Sequence, residues 1–382
     1  MAKKSLAHVL IIIGAALLII AVLLPTFLVP RLKVVPLDLT SSTNTIIQDG
    51  ALLDSRLLGE NKPAKGREDD PRCEEGEEPL PIHCFISDET PIQSKRWVTI
   101  EEPADSEVAT LQVGTTLIRH DREEPANLIN ATIDRITIDR STAWPVDEPV
   151  STVEINAPAA GSDVAPPAFT RGGVQYQFPF DADKKTYDYF DVQSMELFQI
   201  DFLGEEEQDG TTVYKYQMVI PPQNLYENLT DHFTRDGREM TEADEASLAA
   251  FRLKFPANIW GEEGDEEIEM DRYYTNTRTV RVEPSTGMIV NGREEMFMFY
   301  AKDQEEANEI ASTQGHERER AERNRTALDY VAQWDDESKA RQLAKANDSR
   351  SKLLWGGTIV PIILGIIGLV MILVGIRIHR RS

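Results

Sequence analysis

Two long segments without a charged residue, one at each end of the chain, constrain the fold of this 382-residue sequence more than any other feature. Residues 6–29 and 353–376 are almost entirely apolar. A helix rises about 1.5 Å per residue, so either segment can cross a hydrocarbon core of about 30 Å. Cleaved signal peptides have shorter apolar cores and a small-residue cleavage site, and the first segment has neither. We therefore expect an uncleaved transmembrane helix at each end.

Basic residues flank both apolar segments on the side nearest the chain end. They are Lys3, Lys4, Arg377, Arg380 and Arg381, with His379 among the last three. Cytoplasmic flanks of membrane helices carry an excess of Lys and Arg, so both termini are expected to face the cytoplasm. The predicted location is therefore the inner (plasma) membrane, in a two-pass arrangement with a periplasmic, extracytoplasmic main domain.

The predicted organisation divides the chain into six parts. They are a cytoplasmic N-terminus (1–5), a transmembrane helix (6–29), an extracytoplasmic β-rich domain (30–302), a charged helical arm (303–352), a second transmembrane helix (353–376) and a cytoplasmic tail (377–382). The arm is predicted as a helix because Glu, Arg, Ala, Gln and Lys dominate it and β-branched residues become rare.

The charge of the chain is concentrated between the two apolar segments. The whole sequence has a formal net charge of −25, and its 65 Asp and Glu residues all lie within residues 31–352. Nucleic-acid backbones are repelled by such a field, so no nucleic-acid partner is expected. A disordered chain is equally unexpected, since 41% of the residues are hydrophobic.

About ten stretches of the middle region alternate between apolar and polar residues, as half-buried strands do. Turn signals separate them, and residues 277–302 form a hairpin pattern around the turn that runs from Glu283 to Gly287. The predicted fold is mainly β with added α. It consists of an elongated antiparallel β-barrel-like domain, a protruding helix and one transmembrane helix at each end.

Cys73 and Cys84 are the two cysteines of the chain, and both lie in the exported region. An oxidising compartment favours their pairing, so we predict a disulfide that pins a polar loop over residues 59–95. His83 is adjacent, but two Cys and one His in a loop are a weak zinc signal, and no metal site is predicted.

Motifs of hydrolases, redox enzymes, zinc proteases and phosphate-binding loops are absent from the sequence. Carboxylate pairs suited to glycosidase chemistry would arise by chance among 65 acids, so they carry little information. The sequence therefore predicts no catalytic residues, no cofactor and no enzymatic activity.

A cluster of aromatic residues is the remaining candidate site. It comprises Tyr176, Phe178, Phe180, Tyr187, Tyr189 and Phe190. A core role is the default interpretation of such a cluster. The alternative is the lining of a ligand cavity, because small barrels enclose apolar cavities.

Two segments, residues 171–191 and 280–290, resemble the PorA family (DUF3068) of mycobacteria and corynebacteria. The positions that match are Phe178, Pro179, Phe180, Tyr187, Tyr189, Phe190, Asp191, Pro284, Thr286 and Gly287. The resemblance implies an elongated barrel-like domain with internal cavities and a role in maturation or transport of lipomannan and lipoarabinomannan, which are lipoglycans of the cell envelope. It implies no catalytic residues.

The resulting functional prediction is a membrane-anchored protein whose exported domain binds a lipid or glycolipid. A membrane scaffold for envelope glycosyltransferases and a carboxylate-based enzyme acting on glycans are the alternatives. A porin is disfavoured by the sequence, because outer-membrane porins cross the bilayer with strands, whereas uncharged helices of this length are typical of inner membranes.

Overall fold

The computed structural model describes residues 2–74, 76, 79–155 and 166–381. Antiparallel strands form most of the described chain, and a long apolar helix lies at each end. The strands are β1 (Thr40–Asn44), β2 (Gln48–Leu53), β3 (Ile86–Ala104), β4 (Val108–Arg119), β5 (Leu128–Asp139), β6 (Thr152–Ile155), β7 (Tyr187–Asp191), β8 (Glu196–Gln208), β9 (Thr211–Asn224), β10 (Arg252–Pro256), β11 (Glu267–Glu283), β12 (Met288–Ala301) and β13 (Thr326–Gln333).

The helices lie at the chain ends, in the connections between strands and next to β13. They are α1 (Ala2–Leu23), α2 (Val29–Leu32), α3 (Ser55–Glu60), α4 (Leu225–Phe233), α5 (Glu242–Leu248), α6 (Gln304–Ala311), α7 (Thr313–Glu322), α8 (Asp336–Leu354) and α9 (Val360–Arg381). One π-helical turn, Leu24–Leu28, joins α1 to α2, and another, Trp355–Ile359, joins α8 to α9.

All the described strands belong to one sheet that curls into a half-barrel. Its order is β6-β5-β4-β3-β2-β13-β12-β11-β9-β8-β7, with β1 also paired to β3 and β10 to β11. Every strand pair is antiparallel. The prediction of a mainly β, antiparallel, barrel-like domain with a long apolar helix at each end is therefore confirmed.

Most strands present mainly apolar side chains to the inside of the half-barrel and many polar ones to the outside, although Leu203 and Val219 are also exposed there. On β8, Phe198, Ile200 and Phe202 face inward, whereas Asp201 and Glu205 are exposed. This alternation follows from the two-residue period of a strand with one face in water. The predicted hairpin around Glu283–Gly287 is confirmed, since β11 and β12 pair along their length.

The predicted helical arm, residues 303–352, is interrupted by a strand, so the prediction of a continuous helix is wrong there. β13 lies between β2 and β12 in the sheet, and Leu328, Tyr330 and Ala332 are buried on it. Tertiary pairing with strands from distant parts of the chain outweighs the helical composition of the surrounding residues. The predicted loop at 59–95 is likewise too long, because β3 begins at Ile86.

The two apolar helices pack directly against each other. A Cβ added at Gly14 of α1 would lie 2.6 Å from the carbonyl oxygen of Gly368 on α9. Small residues allow such close approach of membrane helices. By length and hydropathy, the helical segments Lys4–Phe27 and Asp336–Arg381 are candidates to cross a membrane.

Candidate functional site

The described part of the connection between β6 and β7, residues 166–186, carries half of the predicted aromatic cluster. Single bridges join it to the sheet on both sides, at Ser151–Phe169 and at Gln177–Met288. The turn before β12 also contacts this connection, because the Phe178 amide donates a hydrogen bond to the Gly287 carbonyl at 2.9 Å. The two segments that resemble the PorA family thus contact each other in the fold.

The structure separates the six predicted aromatic residues into two groups. Phe178, Tyr187, Tyr189 and Phe190 are core residues, and the Phe178 ring lies 5.4 Å from that of Tyr187. Three of the six border cavities: Tyr176 and the core residue Tyr189 line one inside the half-barrel, and Phe180 lines another near the helices. The assignment of these six residues to ligand binding stays a prediction.

The interior cavity, as we name the one bordered by Tyr176 and Tyr189, has a volume of about 110 Å³ and a lining that contains many polar residues. Its walls come from seven strands, from the β6–β7 connection and from the turn after β7. The residues are Ser94, Arg96, Thr115, Thr132, Asp134, Gln175, Tyr176, Tyr189, Val192, Gln193, Tyr274, Arg278, Glu294, Met296 and Ala332. Such a lining suits water or a polar solute better than an apolar one.

One charged pair closes the interior cavity on the β5 side. Arg171 donates two hydrogen bonds to the Asp134 carboxylate, at 2.7 and 2.9 Å, and both side chains are buried. The Tyr176 hydroxyl donates to the same carboxylate at 2.5 Å. Burial, together with the Asp134 charge, raises the pKa of Tyr176 well above its ordinary value, so this hydroxyl stays protonated.

A second charged group lies across the cavity on β7, β11 and β12. The Arg278 guanidinium is 3.1 Å from Asp191 and 2.9 Å from Glu294, and Arg96 approaches Glu294 to 3.7 Å. Burial opposes ionisation of Glu294, but the charges of Arg278 and Arg96 outweigh it and lower the pKa of Glu294 to about 2. Glu294 is therefore a carboxylate at neutral pH.

Three further cavities adjoin the interior cavity and share lining residues with it or with each other. A middle cavity of about 70 Å³ shares Arg96 and Tyr176 with the interior cavity. A basal cleft of about 580 Å³, beside α2 and the end of α8, shares Gln177 and Met288 with the middle cavity. Arg96 also borders a side cavity of about 20 Å³. The adjoining cavities form a series from the basal cleft to the interior of the half-barrel.

Sequence reasoning missed the charged residues of the interior cavity, although a signal for two of them exists. Asp134 is in phase with Ile136 and Ile138 on β5, so it occupies an inward position of the alternation. Arg278 is in phase with Val280 and Val282 on β11 in the same way. A charged residue at an inward strand position indicates a buried polar site, because burial of an unpaired charge is costly.

Cys73 and Cys84 form a disulfide, with a Cα–Cα distance of 5.4 Å. Among the described residues, this pair and His83 form the cluster whose ligand atoms lie close enough to hold a metal ion. The cluster lies at the start of β3, apart from the lining of the cavities.

Comparison with known proteins identifies relatives along nearly the whole chain. Residues 6–377 match the model of the family described as porin PorA. A protein named porin PorA from Corynebacterium amycolatum is 65% identical over 384 residues, which cover 100% of both chains. Another protein of that name, from Corynebacterium resistens, is 45% identical over 399 residues, which cover 98% of this chain and 96% of its own.

The porin description contradicts the predicted lipid- or glycolipid-binding function in lipoglycan maturation or transport. A porin is a channel protein, so the lipid ligand, the glycosyltransferase partners and the alternative roles of scaffold and glycan-acting enzyme are not supported. The prediction used the alternative interpretation of the aromatic cluster as a ligand site, whereas four of its six rings pack in the core. The prediction that the chain is not an enzyme is confirmed by the same description.

The porin description also contradicts the predicted two-pass placement in the inner membrane, because porins are channels of an outer membrane. The prediction depended on helix length, hydropathy and flanking charge. These properties show that a segment can cross a bilayer, but they do not distinguish one membrane from another.

Proposed function

We propose a pore-forming function for this chain, which belongs to the family described as porin PorA. The observation that carries the proposal is the series of adjoining cavities, the innermost of which is bordered by charged side chains, since a channel requires a path through the protein. In this proposal small polar solutes pass between the basal cleft and the interior cavity. Arg96 is the charged side chain that borders both the middle cavity and the interior cavity.

The membrane-spanning part of the proposed pore is helical. Transmembrane β-barrels carry apolar residues on their outer face and polar ones inside, and this half-barrel has the opposite arrangement. Exposed charges such as Asp201 and Glu205 on the outer face of β8 would be costly in a bilayer. The half-barrel therefore acts as a vestibule outside the bilayer, and α1 and α9 act as its anchor.

The aqueous path across the bilayer is proposed to form between copies of the chain. α1 and α9 pack on each other at Gly14, Gly368 and Gly375, where added Cβ atoms would meet backbone oxygens within 3 Å. A helix pair in such contact encloses no channel. Several pairs arranged in a ring could surround one, as closed symmetric assemblies do.

The test is the conductance of the purified full-length chain in planar lipid bilayers, with Arg96→Gln as the diagnostic variant. A charge inside a narrow, low-dielectric passage acts strongly on a permeating ion. We expect stepwise single-channel currents from the wild type. In Arg96→Gln, we expect either the unit conductance or the cation-to-anion permeability ratio to change by about twofold or more.

Arg135→Gln is the matched control, because Arg135 lies on β5 next to Asp134 but pairs with Glu154 on the outer face. Solvent ions screen an exposed charge, so this variant should conduct like the wild type. The proposal fails if the full-length chain gives no channel currents. It also fails if Arg96→Gln and Arg135→Gln behave alike.

A further inference from the structure

A buried histidine lies against the disulfide, at the place where two short 3-10 turns meet. Cys73 ends the turn Pro71–Cys73, and His83 and Cys84 belong to the turn Ile82–Phe85. The His83 side chain is 2% exposed. Its Nε2 atom is 3.6 Å from the Sγ atom of Cys73 and 3.6 Å from that of Cys84.

A carboxylate completes the surroundings of this nitrogen. The Asp70 Oδ2 atom lies 3.6 Å from His83 Nε2. Arg72 holds the carboxylate in place, since its side chain donates to Asp70 at 2.7 and 3.1 Å and its backbone amide donates at 3.0 Å. The two sulfurs and the imidazole nitrogen therefore form a buried cluster, and the partly exposed Asp70 carboxylate contacts this cluster through the nitrogen.

When the disulfide is formed, the two ring nitrogens of His83 have few good hydrogen-bond partners. Its Nδ1 atom is buried without a hydrogen-bond partner among the described residues. Its Nε2 atom is directed at two disulfide sulfurs, which are weak acceptors. A buried imidazole in such surroundings costs free energy, and native structures rarely keep one without a reason.

We propose that Asp70, Cys73, His83 and Cys84 form a binding site for zinc or a similar thiophilic divalent cation when the disulfide is reduced. With Zn–S distances of about 2.3 Å and Zn–N and Zn–O distances of about 2.0–2.1 Å, a tetrahedral site places S and N about 3.5 Å apart and N and O about 3.3 Å apart. The observed separations of 3.6 Å are close to both values. To complete the site, the two sulfurs have to move apart and the Asp70 carboxylate has to move towards them.

The change of state is a two-electron reduction followed by metal binding. A phosphine supplies two electrons and takes the oxygen atom of one water molecule to become a phosphine oxide, the two protons of that water go to the sulfurs, and the S–S bond becomes two thiols. The divalent cation then displaces both thiol protons to solvent and takes two thiolates, one neutral imidazole and one carboxylate as ligands. The segment is thus closed either by a disulfide or by a metal ion. This proposal is independent of the pore proposal.

Cobalt(II) is the probe, because its thiolate complexes absorb in the near ultraviolet and its tetrahedral complexes absorb in the visible region. The full-length chain is reduced in detergent with a phosphine, which unlike a dithiol competes weakly for the metal. Thiol counting after unfolding checks that both cysteines are reduced. We expect one cobalt ion per reduced chain with both absorption bands, displacement by zinc, and no bands from the oxidised chain.

His83→Gln and Asp70→Asn test the two ligands that are not cysteines. We expect each variant to weaken cobalt binding by tenfold or more, since losing a ligand costs at least as much as losing a supporting partner. His120→Gln and Asp69→Asn change exposed residues of the same types and should bind like the wild type.

Thermal unfolding provides a readout that does not depend on the spectrum. Zinc should raise the unfolding midpoint of the reduced chain and leave that of the oxidised chain unchanged, because a ligand that binds only the folded state stabilises it. The proposal is overturned if the reduced chain takes up no more cobalt than the oxidised chain. Equal binding by His83→Gln and His120→Gln would overturn it as well.

Discussion

Gly287 ends the turn that begins at Glu283, and both its conformation and its surroundings exclude a side chain. Its φ angle is +71°, which lies in the left-handed region. An added Cβ would lie 2.0 Å from the carbonyl oxygen of Phe178. The Glu283 carboxylate accepts the amide and hydroxyl protons of Thr286 and fixes the turn. The turn can therefore hold the β6–β7 connection by direct backbone contact.

We expect Gly287→Ala to lower the free energy of unfolding by more than about 2 kcal/mol, because the left-handed conformation and the backbone contact both oppose a Cβ. Gly210→Ala is the control, since Gly210 has a φ angle of +76° but no atom within 4 Å of the added Cβ. It should cost about 1 kcal/mol. Urea unfolding of the full-length chain measures both values, and equal losses would contradict the contact.

His232 is a buried base whose ionisation opposes folding. Its ring lies edge-on to Phe169 at 5.1 Å, and neither ring nitrogen has a hydrogen-bond partner among the described residues. Burial, followed by the charges of Arg235 and Arg171, lowers the pKa of His232 to about 4. The neutral ring is therefore the form that the folded chain favours.

A lowered pKa of a base gives stability that is fully present above pH 6.5 and is lost as the pH falls towards 4. His232→Phe keeps an aromatic ring but cannot ionise. We expect the wild type to lose on the order of 3 kcal/mol more than this variant between pH 7 and pH 3. Urea unfolding at several pH values measures the difference. Its absence, or an equal effect of His120→Phe on the surface, would refute the assignment.

At the scale of elements, the strands were predictable where the pattern is local. The β11–β12 hairpin has regular alternation and a turn with Pro284 and Gly287 at suitable positions, and it forms as predicted. β13 was not predictable in this way, because it follows the charged helices α6 and α7 directly and is flanked by another helix. Its partners, β2 and β12, supply the hydrogen bonds that make it a strand.

The packing of α1 on α9 gives a prediction at the same scale. A Cβ at Gly368 would lie 2.7 Å from the Gly14 carbonyl oxygen, whereas one at Gly365 would meet only the Ala21 Cβ at 3.9 Å. Ala normally stabilises a helix relative to Gly by about 1 kcal/mol. We therefore expect Gly365→Ala to be neutral or stabilising and Gly368→Ala to be destabilising.

Thermal unfolding of the full-length chain in detergent measures the effect of both glycine variants. The expected result is a lower midpoint for Gly368→Ala and an equal or higher one for Gly365→Ala. Similar midpoints for the two variants would show that the helices do not pack at Gly14 and Gly368.

At the scale of the whole molecule, the charge distribution and the polarity of the sheet give a consistent arrangement. The net negative charge lies between the apolar segments, and the outer face of the half-barrel is polar. We therefore propose that the strands lie in water and that the two terminal helices lie in lipid. This separation distinguishes the chain from a porin whose strands cross the bilayer, although its relatives bear the porin name.

The proposed assembly predicts that the conducting species contains more than one chain. Native mass spectrometry of the detergent-solubilised protein should show a closed oligomer, and channel activity should follow the oligomeric fraction in size-exclusion chromatography. The physical reason is that one packed helix pair encloses no water-filled path. Full unit conductance from a fraction that contains single chains would contradict this arrangement.

The sequence by itself determined the features that depend on neighbouring residues. Apolar length specified the helices at both ends, strand alternation specified an antiparallel sheet, and turn chemistry specified the hairpin at Glu283–Gly287. Hydropathy could not identify the membrane, because every bilayer core selects for the same apolar length.

Only the tertiary structure decided which residues meet inside the half-barrel. Arg171 pairs with Asp134, which is 37 positions away in the sequence. Arg96 on β3 approaches Glu294 on β12, although two strands lie between β3 and β12 in the sheet. The alternation of a strand fixes the face on which a side chain lies, but not the strand that will lie beside it. The same limit applies to the aromatic cluster, where the curl of the sheet buries Phe178 in the core and leaves Tyr176 at the interior cavity.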